Sequence, residues 1–82
     1  MFDDSRLVAL LEPPGGFTIW SYITPDRLQG VVTRSGYFGP ASDRLRVGDF
    51  IFVNAQVDSA LVHDLRTVTH VQPNYVETSR LS

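Results

Sequence analysis

Turn-forming residues cut this chain into short pieces, and within most of them the apolar residues recur with the period of a β-strand. Phe17 to Tyr22 alternates cleanly, with Phe17, Ile19 and Ser21 on one side and Thr18, Trp20 and Tyr22 on the other, which predicts a strand. Phe50-Ile51-Phe52-Val53 shows no alternation. A run of that kind predicts a strand covered on both faces, central in a sheet or at a subunit interface, and here it extends to about Gln56. Val57-Asp58-Ser59 predicts a hairpin, with the next strand starting near Ala60. From Leu61 to Val71 the alternation breaks, and a bulge near Asp64 to Arg66 would reconcile the two halves. Pro73-Asn74 predicts a turn and Tyr75 to Thr78 a short last strand before a polar tail.

Helical signals are brief. Thr24-Pro25-Asp26 carries a cap, a proline and an acid in the order that starts a helix, and Gly30 limits its length. Val31 to Thr33 is β-branched and predicts a short strand ending at Ser35-Gly36. Gly39-Pro40 and Val47-Gly48-Asp49 have turn chemistry and bracket Ser42-Asp43-Arg44-Leu45, which suits a single helical turn capped by Ser42 or Asp43.

The first residues read two ways. Phe2, Leu7, Val8, Leu10 and Leu11 form an apolar stripe on a short helix or an extended arm, cut off from the rest of the chain by Pro13-Pro14-Gly15-Gly16. That stripe is expected to dock, either on its own domain or on a neighbouring subunit. The expected organisation is an arm and joint over 1–16 and a single β-domain over 17–82. The expected class is all-β, a small antiparallel barrel or sandwich with one short helix or helical turn and the N-terminal arm.

Composition narrows the function more than the fold. An 82-residue chain without cysteine has neither disulfides nor cysteine-based zinc sites, so oligomerisation is the expected source of added stability. No apolar run approaches the ~20 residues that span a bilayer, and Asp3 and Asp4 stand where a signal peptide would be cationic. A soluble protein made in the cytoplasm is expected, with no membrane partner. The seven basic residues, all arginine, are scattered among nine acids for a net charge of −2, which argues against a nucleic-acid footprint. Arginines so placed suit protein interfaces.

Gly36, Tyr37, Phe38, Ala41, Ser42, Leu45, Gly48, Asp49 and Ile51 compose an aromatic glycine-tyrosine-phenylalanine step, a short loop and a leucine-x-x-glycine-aspartate-x-isoleucine strand start. This pattern resembles small tailed-phage virion proteins of the head-decoration (cement) or head-fibre type. Trp20, Tyr22, Thr24 and Asp26 are similar to the aromatic-threonine-acid stretch such proteins carry upstream, so that the likeness runs from Trp20 to Val53. The resemblance implies a structural protein on the capsid surface of a virion, with the major capsid protein and itself, as a homotrimer, for partners. A fibre or tail-attached adhesion module is the alternative within that setting. A β-barrel whose aromatics bind a carbohydrate or small ligand is the alternative outside it. The interface candidates are Phe2, Leu7, Leu10, Leu11, Trp20, Tyr37, Phe38, Arg44 and Arg46.

Catalysis is not expected. His63 and His70 are an odd number of positions apart and face opposite sides of a regular strand, while Asp64 and His70 share a face but sit roughly 20 Å apart at about 3.3 Å per residue. There is no phosphate-cradling glycine loop, no His-Glu-x-x-His pair and no calcium loop, so neither cofactor nor metal is expected. Asp49, after Gly48, is expected to cap a turn at the strand entry.

Overall fold

A computed structural model describes residues 2–33 and 36–80, without the side chains of 32 and 33. The expected turn residue Ser35 and the tail at 81–82 lie outside the described residues. Five strands, β1 (Leu7–Leu11), β2 (Ile19–Ile23), β3 (Phe50–Ala55), β4 (Val62–Gln72) and β5 (Tyr75–Arg80), form one sheet in the order β1-β2-β3-β4-β5. The all-β class holds. Among the described residues β5 does not pair with β1 to close a barrel, and the β2–β3 pair is parallel while the other three are antiparallel.

That parallel pair requires a crossover, and the crossover builds the core. Between β2 and β3 the chain makes helix α1 (Leu28–Thr33) and a 3₁₀ turn at Gly39–Ala41. Together they lay Val31, Tyr37, Phe38, Ala41 and Leu45 over one sheet face, where Leu7, Trp20, Tyr22, Ile51, Val53, Ala55, Val68 and Val76 meet them. Phe2, Tyr22, Tyr37 and Phe38 form a ring cluster with centroids 5.1–5.9 Å apart, Phe2 stacked on Tyr22 and the other pairs edge-on. These are the separations and angles aromatic quadrupoles favour.

Several local expectations shift. Val31 to Thr33 continues α1 instead of forming a strand, because Val31 is a core residue and its burial outweighs a weak β-branched preference. The helical turn expected at Ser42 to Leu45 is present, closed by the Arg44 and Leu45 N–H groups donating to the Ala41 carbonyl, but it follows directly on a 3₁₀ turn at Gly39–Ala41, and the Ser42 hydroxyl, expected as a cap, accepts from the Asn74 N–H instead. The bulge in β4 lies between Val68 and His70, not at Asp64 to Arg66. Of the two readings of the N-terminus, the extended one is observed, as a 3₁₀ turn at Asp4–Arg6 followed by β1. Only part of the stripe docks on its own sheet, through Leu7 and Phe2, while Val8, Leu10 and Leu11 stay more than half exposed. Leu7 is buried, and the Asp3 N–H donates to the Tyr22 hydroxyl.

Candidate functional site: an uncovered apolar sheet face

The crossover covers one face of the sheet and leaves the other open. Strand alternation, carried through the pairs Val8↔Ser21, Ile19↔Phe50, Ser21↔Phe52, Phe52↔Leu65 and Asn54↔His63, places all of these residues on the second face. Ile23 and Thr67 join them by the same registers, and Leu11 pairs with Ile19 beyond an irregularity in β1. Val8, Leu11, Ile23 and Phe52 keep between 44% and 55% of their surface exposed. Ile19, Phe50 and Leu65 are half-buried, and with Phe52 they frame an apolar hollow of about 210 Å³. From β1 to β4 this face has no acidic side chain, lysine or arginine. A contiguous apolar surface of this kind marks a contact site more often than an idle one.

The apolar run of β3 is expected from its sequence to be covered on both sides; the sheet covers only Ile51, Val53 and Ala55, leaving Phe50 half-buried and Phe52 exposed. Here strand periodicity alone is not enough. It shows that a face is apolar, whereas what covers it depends on where the crossover runs.

The polar residues are occupied in holding the covered side together. Asp49, 2% exposed, accepts from the Thr18 N–H through Oδ1 at 3.1 Å, and through Oδ2 from the Trp20 indole N–H at 3.0 Å and the Arg46 N–H at 3.1 Å. Its expected capping role is thus extended into a tie between the loop before β3 and the start of β2. The Tyr37 hydroxyl donates to Asp26 at 2.7 Å and lies 3.0 Å from the Tyr22 hydroxyl. Burial, reinforced by these contacts with Tyr22 and Asp26, pushes the Tyr37 hydroxyl far above its ordinary range. Arg66, also buried, pairs with Asp64 at 3.3 Å and donates to the Thr78 hydroxyl and carbonyl. Among the described residues no buried side-chain polar atom lacks a partner.

The expected interface residues therefore separate. Leu7, Trp20, Tyr37 and Phe38 are buried in the core, and Phe2 is half-buried against it. Leu10 and Leu11 are exposed on the β1 edge. Arg44 acts as a strut: it stacks 5.1 Å over Trp20, pairs with Asp4 at 2.8 Å and donates to the Leu7 carbonyl at 2.8 Å. Arg46 is exposed beside a polar cleft that Glu12, Thr18 and Trp20 also line. The open-face residues Val8, Ile19, Ile23, Phe50, Phe52 and Leu65 are not among the expected interface candidates. Their signal is present in the β2 and β3 patterns, where it reads as core.

The two histidines end up on one face, because the β4 bulge offsets their odd spacing: His63 pairs with Asn54 and His70 with Glu77. Seven residues apart at about 3.3 Å per residue, they lie on the order of 20 Å from each other, too far to share a proton or an ion. Among the described residues no group of three or more His, Asp or Glu side chains is placed to hold a metal, and no helix is long and apolar enough to cross a membrane. Comparison with protein-family models, with curated proteins and with solved structures finds no match.

Proposed function

We propose that this chain is a non-catalytic structural module that works by protein–protein contact through its open sheet face. The observation that carries the reading is the contrast between the two faces: one is closed over a core in which, among the described residues, every buried side-chain polar atom has a partner, while the other presents Phe52, Ile23, Val8 and Leu11 to solvent. The setting we propose for it is a tailed-phage virion, as an oligomeric decoration protein on the head lattice. What supports that setting is the sequence likeness from Trp20 to Val53. Its residues Tyr37, Phe38, Ala41, Leu45, Asp49 and Ile51 are the buried ones that form the crossover and the entry to β3, so the likeness concerns how the domain is built. Mass spectrometry of virions purified from cells carrying the gene tests the setting. The chain should be found in a copy number comparable to that of the major capsid protein, and its absence from virions refutes the reading.

A further inference from the structure

We infer that the open sheet face is the self-association surface of this protein, where two copies pack face to face about a two-fold axis into a β-sandwich. The inference rests on the proposal that this face is a protein-contact surface, and it names the partner.

Three properties of the face select a second copy. Its middle is uncharged, so a two-fold pairing brings no like charges together and leaves no charge unpaired, whereas a charged partner would find nothing complementary. Its extent is sufficient. Four strands about 4.8 Å apart and five residues long at about 3.3 Å per residue span a plane of roughly 320 Å², which the relief of the side chains raises to roughly 500 Å² of accessible surface per copy, or about 1,000 Å² for a pair, the lower bound of a specific interface. Its geometry is suitable as well. Sheets pack with their strands nearly aligned at about 10 Å separation, each inner face interdigitating with the other, and the hollow framed by Ile19, Phe50, Phe52 and Leu65 offers room for a partner's side chain. The Asn54–His63 pair, with Oδ1 and Nδ1 2.6 Å apart, then forms part of a polar rim. The resulting sandwich covers the second face of β1 to β4 in each copy, which one copy leaves open.

Light scattering on the purified chain at about 50 µM should give twice the 9.2 kDa of one chain, and Phe52→Asp, folded by circular dichroism, should lower the association constant at least 100-fold. A wild-type mass of one chain overturns the inference. So does a mass of three chains, and so does a folded Phe52→Asp protein that still pairs as before. Hydroxyl-radical footprinting of the wild type across a dilution series decides the matter if the variant does not fold. Phe52 and Ile23 should be protected at least fivefold at high concentration while the exposed loop residues Val57 and Leu61 are not, and equal reactivity at all concentrations refutes the pairing. Sedimentation of wild type with phage heads separates this inference from the broader reading: a chain that binds heads as a monomer overturns the two-fold pair alone.

Discussion

Asp49→Asn is the sharpest probe of how the covered side is held. The substitution keeps the shape of the side chain and removes its second acceptor, while three N–H groups converge on it, from Thr18, Trp20 and Arg46. An amide oriented to keep the two bonds at Oδ2 turns its NH₂ towards the Thr18 N–H. Oriented the other way it opposes the Trp20 indole and the Arg46 N–H. At least one donor at a site only 2% exposed is then unsatisfied, at about 1–3 kcal/mol, and the bonds that survive lose their charge assistance, at about 1 kcal/mol. The expected loss is about 2–4 kcal/mol, from a domain whose size suggests about 4–12 kcal/mol in total. With a urea dependence of about 1 kcal/mol per molar for so small a chain, the unfolding midpoint, followed by Trp20 fluorescence, should fall by about 2–4 M. Asp43→Asn, at an exposed position, is the control and should change stability by less than about 0.5 kcal/mol. A midpoint for Asp49→Asn within about 0.5 M of wild type refutes the argument that this carboxylate organises the loop.

Particular contacts set the other expected outcomes. Gly39→Ala should destabilise the fold by more than about 2 kcal/mol in urea, because a Cβ there runs into the Asn74 carbonyl oxygen, backbone that cannot step aside; Gly30→Ala, with open space around it inside α1, should gain up to about 1 kcal/mol. A tyrosine whose hydroxyl is held neutral by folding contributes stability that is complete below its ordinary value of 10.0 and is lost as pH rises above it. Wild type should therefore weaken above about pH 10 by up to about 1.4 kcal/mol per unit, and Tyr37→Phe should flatten that slope in urea titrations at successive pH values. Deleting residues 2 to 12 removes Leu7 from the core and the Phe2 ring from Tyr22, so the truncated chain should lose its cooperative thermal transition. A sharp transition near the wild-type temperature would make β1 dispensable.

Much of the strand content was legible in the chain, because period-two alternation at Phe17 to Tyr22 and the turn residues at Pro73-Asn74 are local signals. Their positions came within a few residues of β2 and of the β4–β5 turn, where Asn74 takes a positive φ. The pairing of β2 with β3 was not legible. A parallel pair depends on a crossover of more than twenty residues, and Val31 inside that crossover obeys the core it joins, not its own β-branched preference. The same non-local choice hid the site. Phe50, Phe52, Ile51 and Val53 are equally apolar in sequence, and only the side taken by Tyr37, Phe38 and Leu45 decides which two are covered. The aromatic step Tyr37-Phe38 and Trp20 stood out as contact candidates for their size, and size is also what suits them to fill the core.

The central claim is that the open face is where this protein meets its partners. Co-sedimentation of wild type and of folded Phe52→Asp with purified phage heads, with bound protein quantified across a concentration series, tests this most directly. Wild type, attached through both copies of a pair, should bind heads, and Phe52→Asp, which cannot pair and attaches through a single copy, should bind at least tenfold more weakly. Equal binding by the two would show that contact through the open face contributes nothing to assembly on heads and contradict the claim.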